Sequence, residues 1–257
     1  MRIGELYRDA RRFGLAFPMC CVRRLVGQRR CTTTLRGVGQ VTLRLDNSDA
    51  NVFRQVFRYR EYDLTGTGQW PRIRTAYEAM LAAGQRPIII DAGANVGAST
   101  LFFATTYPEA TVLAVEPDVE NIEMCRLNTR GCPNVRVIRA GLGGEIGRVE
   151  LLGGENGSWS ITTERSTEGS TELVTVPQLL EQEGEGSALF MVKIDIEGFE
   201  SDVFETAEKW IDQPAVLFIE IHDWMLPGRY TSVAVQRAVA PQGFEMLTIG
   251  ENTAYIR

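Results

Sequence analysis

Residues 87–97 read Pro-Ile-Ile-Ile-Asp-Ala-Gly-Ala-Asn-Val-Gly, and they restrict the fold of this chain more than any other stretch. Ile88 to Ile90 are consecutive β-branched apolar residues, the pattern of a strand buried on both faces. Asp91 ends that strand, Gly93 and Gly97 flank Asn95, and Ala98-Ser99-Thr100-Leu101 open a helix. Glycine lets a ligand approach the backbone, and a helix N-terminus presents N–H groups with no intrahelical partner. Strand, glycine turn and helix together make a nucleotide-type site. The next strand, Thr111 to Val115, ends in Glu116, 25 residues after Asp91, about where an acidic residue grips a ribose diol.

The turn itself narrows the ligand. A dinucleotide fingerprint reads Gly-x-Gly-x-x-Gly, but here Asn95 replaces the middle glycine, so a pyrophosphate fits less well. An anionic Asp91 beside the turn suits a ligand carrying positive charge, such as an ammonium or a sulfonium. This reading favours S-adenosylmethionine over NAD.

From Pro87 onward the pattern alternates between strand and helix, which argues for a parallel sheet with right-handed crossovers. Strands are expected near 87–91, 111–116, 135–139, 188–194, 214–221, 243–248 and 252–256, and helices near 98–106, 118–129, 177–183, 199–209 and 231–240. Only Gly250-Glu251 joins the last two strands, so they are expected to pair antiparallel. Residues 141–176, rich in Gly, Ser and Thr, read as a β-hairpin insertion. Upstream, 1–27 reads as one or two helices broken near Pro18, and Cys31 to Leu45 as a hairpin turning at Gly37-Val38-Gly39. Ser48 is placed to cap a helix through Val52, Phe53, Val56 and Phe57, and 70–83 reads as a further helix. The expected fold is α/β: a Rossmann-like, seven-stranded, mostly parallel sheet with helices on both faces and an antiparallel C-terminal hairpin. Residues 1–74 form a helical and hairpin extension, and 75–257 the main domain with its insertion at 141–176.

The net charge of −6 and pI near 5.1 argue against a nucleic-acid partner held through phosphates. The charge is uneven, because residues 1–60 carry thirteen arginines and only four acids. That basic segment reads either as a solvated helical face or as a contact for an anionic partner or membrane surface. The five cysteines, Cys20, Cys21, Cys31, Cys125 and Cys132, show no CxxC or Cys/His spacing. They imply a reducing, cytoplasmic setting without structural zinc. No stretch reaches transmembrane length.

In an open α/β sheet, ligands bind beyond the carboxyl ends of the strands. Two further segments place charge there. Val192-Lys193-Ile194-Asp195-Ile196-Glu197-Gly198-Phe199-Glu200 puts Lys, Asp and Glu at alternate positions, and Ile219-Glu220-Ile221-His222 puts Glu220 and His222 on one strand face. A strand that would otherwise be apolar does not carry such residues without a use or a compensating pair.

Asp-Ala-Gly-Ala-Asn-Val-Gly, Ala-Val-Glu-Pro-Asp, Lys-Ile-Asp-Ile-Glu-Gly-Phe-Glu and Ile-Glu-Ile-His together resemble the FkbM-type S-adenosylmethionine-dependent methyltransferases. Phe57-Arg58-Tyr59-Arg60-Glu61-Tyr62 and Asn156-Gly157-Ser158-Trp159-Ser160 are similar to further segments of the family. The likeness covers roughly 50–225, and its lysine-to-glutamate motif is the specific part. It implies a Rossmann-like methyltransferase fold and O-methylation of a hydroxyl on a sugar, glycan or natural product.

On this reading Asp91, Gly93, Asn95 and Gly97 hold the methionine half of the cofactor, and Glu116 accepts the ribose hydroxyls. Leu142 and Asp195 also border the cofactor. Asp118 either lies near the adenine or caps the helix from Val119. Trp159 and Ser160 either close over a ligand or make an ordinary hairpin contact. Asp195, Glu197, Glu220 and His222 are the catalytic candidates, with His222 or Asp195 taking the acceptor proton as the hydroxyl attacks in line. Lys193 is expected to pair with one of these acids, and Glu200 to start a helix and complement its dipole. Asp195, Glu220 and His222 are also the candidate ligands of a divalent Mg or Mn ion. The acceptor is expected to meet the loops at 58–70, 153–170 and 223–231, which carry aromatics and Arg229. An NAD-dependent oxidoreductase and a non-catalytic nucleotide-binding module are the alternatives.

Overall fold

The computed structural model describes residues 3–152, 162–165 and 169–257. The chain begins with α1 (Ile3–Phe13), α2 (Ala16–Val22) and a 3₁₀ turn (Arg23–Val26), followed by the hairpin β1 (Arg30–Leu35) and β2 (Gly39–Arg44). The break between the helices falls at Gly14, with φ +91°, and not at Pro18. Pro18 sits in the first turn of α2, where its missing N–H costs no helical bond. Ser48 occupies the N-cap position of α3 (Asp49–Phe53), but its side chain makes no capping bond. The chain continues past α3 as a π-helical turn to Tyr59 and then α4 (Trp70–Ala82).

The main sheet contains β3 (Arg86–Ala92), β4 (Thr111–Glu116) and β5 (Val135–Arg139), joined by α5 (Ala98–Thr106) and α6 (Val119–Thr129). The insertion follows: β6 (Gly141–Leu142), β7 (Gly147–Leu152), β8 (Thr162–Arg165) and β9 (Thr171–Val174). It forms a separate four-stranded sheet in the order β6-β9-β7-β8, more than the hairpin expected from its sequence. Then come α7 (Val176–Glu183), β10 (Ser187–Ile194), α8 (Glu200–Phe204), β11 (Val216–Glu220), α9 (Thr231–Val239), β12 (Glu245–Ile249) and β13 (Asn252–Ile256). The helix expected over 199–209 stops at Phe204 and resumes as a 3₁₀ turn at Ala207–Lys209.

The seven strands lie in the order β12-β13-β11-β10-β3-β4-β5, and β13 alone runs against the others. Alternation within one buried strand serves two cores. Ile89 packs with Phe103, Phe190 and Phe218 under α4, α5 and the N-terminal segment, while Ile88 and Ile90 pack with Val192, Val203 and Trp210 under α7 to α9. Phe13, Phe17, Leu35 and Phe53 belong to the first of these cores, so residues 1–74 and the sheet share apolar packing. The chain leaves β5 and returns at β10 beside β3, which creates a strand-order switch at the carboxyl ends of β3 and β10.

Cys20 and Cys31 are joined in a disulfide that ties α2 to β1, with Cα atoms 5.8 Å apart. The sequence reading of five reduced thiols missed this pair, because only the fold brings the two residues together. Among the described residues, no helix is long and apolar enough to cross a membrane.

Candidate active site

The glycine turn after β3 is built by local conformation. Gly93, Asn95 and Gly97 have φ of +75°, +48° and +83°. A Cβ on Gly93 would lie 1.8 Å from the carbonyl oxygen of Asp195, so only glycine lets β3 turn this close to the end of β10. Asn95 is the one non-glycine residue in the turn that is left-handed, a conformation asparagine tolerates better than most residues. It aims its backbone N–H at Glu116 Oε2, 2.8 Å away.

Glu116 is almost fully buried at the end of β4. Its Oε1 accepts from the Asp118 N–H at 3.0 Å and from Asn121 Nδ2 at 3.4 Å. Burial pushes its pKa up to about 7 against these hydrogen bonds. A cleft of about 680 Å³, open to solvent, runs past Gly93, Asn95, Glu116, Leu142, Asp195 and Phe199. Leu142, Leu173 and Ile196 give it apolar wall beside the carboxylate. The residues fit the nucleoside half of S-adenosylmethionine: a buried carboxylate for a diol, an apolar slot beside it and a glycine turn with no side chain in the way.

Three residues expected to touch the cofactor stand behind the cleft and do not line it. Asp91 is completely buried; its Oδ2 accepts from Ser99 Oγ (2.8 Å) and Thr100 Oγ1 (2.6 Å), and its Oδ1 lies 3.4 Å from Lys193 Nζ. Its charge is thus matched by a lysine within the fold, which corrects the reading that it faces a cationic ligand. Gly97 keeps α5 close to α6, since a Cβ there would meet Cys125 at 3.0 Å. Asp118 caps α6 by accepting the Asn121 N–H at 2.8 Å.

Lys193 and Asp91 are lateral neighbours in the β10–β3 register. The buried Lys193 ammonium donates to the carbonyls of Gly93 (2.7 Å) and Ala92 (3.2 Å) and lies 3.3 Å from Asp195 Oδ2. Burial alone would lower its pKa, but Asp195, Tyr62 and Asp91 outweigh burial and raise it, so it stays charged. It fixes the glycine turn to the Asp195 loop.

A second, larger cavity of about 1630 Å³ opens on the other side of Asp195. Asp195, Glu197, Gly93 and Asn95 belong to the walls of both cavities. Glu197 is also left-handed, with φ +53°. The second chamber further exposes Glu61, Glu220, His222, Trp224 and Glu251. His222 Nε2 lies 3.7 Å from Asp195 Oδ1 and 3.5 Å from Glu220 Oε1, while Nδ1 meets Glu200 Oε1 at 2.6 Å. Burial would lower the imidazole pKa, but Glu200, Glu220 and Asp195 overcome it and raise the pKa to about 10. The raised pKa favours the imidazolium at neutral pH, which argues against the expectation that His222 acts as the base.

Sequence reasoning missed Glu200, Glu61 and Glu251 as parts of this site. Glu200 opens α8 as expected, yet its carboxylate is buried and turns inward to His222 and the Gly198 N–H (3.0 Å). Glu61 accepts from Asn252 Nδ2 at 3.2 Å, and burial with Glu251 and Glu220 pushes its pKa up to about 7. A Cβ on Gly250, at φ +62°, would sit 2.6 Å from that carboxylate and push it aside. The only sequence sign of Glu61 was its place in the Phe57–Tyr62 run. Of the loops expected at the acceptor, Tyr59 and Tyr62 from the first and Trp224 and Met225 from the third line the chamber, and Arg229 does not. Trp159 and Ser160 lie outside the described residues.

The Methyltransferase FkbM domain matches residues 91–246. No functionally curated protein matches the chain. Among solved structures, a proposed O-methyltransferase from Klebsiella pneumoniae is similar at 14% identity and TM-score 0.42, over 80% of this chain and 90% of that one. A methyltransferase from Geobacter sulfurreducens is similar at 12% identity and TM-score 0.40, over 80% and 88%. A precorrin-6y C5,15-methyltransferase from Geobacter metallireducens is similar at 11% identity and TM-score 0.38, over 72% and 86%. The oxidoreductase alternative falls with the domain match, which spans more than half of the sequence: the chain belongs to the FkbM methyltransferase family.

Proposed function

We propose that this protein transfers a methyl group from S-adenosylmethionine to a hydroxyl of a sugar, glycan or natural product. The observation that carries the reading is Asp195, which stands on the wall between the cleft suited to the cofactor and the chamber suited to an acceptor. Gly93, Asn95, Glu116 and Leu142 would hold the cofactor, with Asp91, Gly97 and Asp118 shaping the backbone behind it. When bound, the cofactor supplies an electrophilic sulfonium methyl, so the protein's task is alignment and proton removal.

Asp195 accepts a hydrogen bond from the acceptor hydroxyl and orients it. Lys193 and the His222 imidazolium keep Asp195 in place. Glu220 takes the hydroxyl proton. Burial and the neighbouring Asp195 raise its pKa, which makes it a stronger base than an ordinary carboxylate. Its oxygen lies within 4.8 Å of the Asp195 and His222 donor atoms, so one hydroxyl can reach both acids. Glu197 borders both cavities and contributes to positioning. Residues 75–257 form the catalytic domain, and 1–74 supply part of the chamber wall.

The test is methyl transfer to a panel of hydroxylated sugars, glycans and natural products, followed by NMR of the product methyl carbon. Methoxy products from the wild type, none from Asp195→Asn, and equal binding of S-adenosylhomocysteine by both proteins would support the reading. N-methyl products would overturn the O-methylation part, and cofactor binding without any turnover would favour the non-catalytic module. A second reading rests on the same cluster: Asp195, Glu220 and His222 offer three donor atoms to an Mg or Mn ion. Such an ion would have to displace the imidazolium proton. Turnover that disappears on chelation and returns with the metal would establish it.

A further inference from the structure

The N-terminal helices bury one apolar face and expose another. Phe17, Pro18 and Cys20 of α2 point into the core. Leu15 and Met19, one helical turn apart, are 72% and 61% exposed. Half-buried Val22 lies between them and Leu25, which follows three residues later, where the tighter 3₁₀ turn stacks side chains at i and i+3. Leu25 and its neighbour Val26 are 85% and 78% exposed. Isolated exposed apolar residues are ordinary, but four of them within twelve residues of one segment mark a contact surface.

The charge around this row has one sign. Between Asp9 and Asp46 the sequence contains no acidic residue. Asp9 is itself buried and neutralised by Arg54 (2.8 Å) and Arg58 (2.7 Å). Arg44 is likewise occupied by Asp49 at 2.9 Å. Arg11, Arg23, Arg24, Arg29 and Arg30, on the same segment as the apolar residues, are exposed. The uneven charge seen in the sequence thus divides in two: arginines used inside the fold, and arginines facing solvent around Leu15, Met19, Leu25 and Val26.

We propose that this face is a peripheral docking surface for an anionic lipid bilayer, with Leu25 and Val26 inserting below the headgroups and the surrounding arginines meeting them. Apolar tips ringed by cations are the arrangement that binds a charged interface without crossing it. A soluble polyanion would use the arginines but has no use for the exposed row. The disulfide between Cys20 and Cys31 fixes α2 against β1, so the surface is held by the fold and does not need to order on contact.

The experiment is flotation of the full chain with vesicles of phosphatidylcholine alone and with about one-third phosphatidylglycerol, in low and high salt. Binding is expected with the anionic vesicles only, and weaker in high salt. Leu25→Glu with Val26→Glu should reduce it by about tenfold or more, because each leucine or valine buried contributes at least that factor. Arg23→Glu with Arg24→Glu should reduce it comparably. All four residues are exposed, so unchanged circular dichroism and S-adenosylhomocysteine binding would show that the variants fold. No binding to anionic vesicles overturns the proposal. So does binding that the Leu25 and Val26 substitutions leave intact, or that heparin matches with the same insensitivity. A wild-type dimer that these substitutions convert to monomer, with vesicle binding absent, would assign the face to a second copy and overturn it as well.

Discussion

Glu200 Oε1 lies 2.6 Å from His222 Nδ1, with both side chains almost wholly buried. This contact redefines the only histidine in the chain. An isolated imidazole near a strand end reads as a base for a hydroxyl proton, but one locked to a buried carboxylate and facing two more has its pKa raised and favours the charged form. In the proposed mechanism the basic role therefore falls to Glu220, and His222 helps to hold Asp195.

The single histidine makes this directly measurable. Its imidazole resonances should stay in the protonated form through neutral pH and titrate only near pH 10. Titration near the ordinary value of 6.5 would remove the imidazolium. The sign of the linked stability follows from the raised pKa. The folded state keeps a proton that the unfolded state has released, so the stabilisation is complete below pH 6.5 and lost as pH rises through about 10. The stability difference between wild type and His222→Gln in urea should shrink over that window by an amount on the order of 2–4 kcal/mol.

Glu200→Gln should return the imidazole pKa toward neutrality and lower turnover by about a hundredfold, with S-adenosylhomocysteine affinity within about twofold of wild type. Parallel NMR titration and calorimetry would check both. A large loss of turnover with an unmoved histidine titration would show that Glu200 acts by some route other than His222.

Cofactor binding should depend on the charge of Glu116. A ribose diol donates to a carboxylate, and burial places the Glu116 pKa at about 7. S-adenosylhomocysteine affinity should therefore fall as pH drops below about 7, approaching tenfold per unit. Without ligand the sign is opposite: a raised carboxyl pKa favours the protonated folded state, so this residue's contribution to stability declines as pH rises through 7. Calorimetry across pH, with Glu116→Gln as the pH-flat control, tests the first statement.

Gly93→Ala should be damaging out of proportion to its size. The added methyl group would fall 1.8 Å from the Asp195 carbonyl oxygen at a φ of +75°. A loss of about 3 kcal/mol or more is expected, together with loss of S-adenosylhomocysteine binding. Gly131→Ala, which meets no atom within 4 Å and has no left-handed φ, serves as the comparison and should differ little from wild type.

Reduction of the Cys20–Cys31 bond should lower the stability of the N-terminal segment by about 2–3 kcal/mol, given its 11-residue separation. Thermal unfolding with and without reductant, alongside mass analysis after alkylation, would measure it. Five alkylated cysteines without prior reduction would show that the bond is not formed.

The strands and helices of the main domain were legible because buried parallel strands carry continuous β-branched runs, and Ile88 to Ile90 is the extreme case. The β12–β13 hairpin was legible from the two-residue Gly250-Glu251 connection. Local chemistry was legible as well: the Gly93–Gly97 turn, Glu116 at its strand end, and Asp195 after β10. The reading failed where a residue's partner lies far along the chain. Asp91 looked available to a ligand until Lys193, a hundred positions later, faced it across two strands. Glu61 and Glu251 joined the site only when the N-terminal segment and the C-terminal hairpin met on one chamber wall. Sequence alone determined which segments are strands, where the glycine turn falls and which acids leave the strand ends, because those follow from periodicity and backbone conformation. Tertiary structure alone decided which charges are neutralised, which side chains reach a cavity and which carboxylates surround His222. Those properties depend on burial and on distances of about 3 Å between residues that the sequence does not place together.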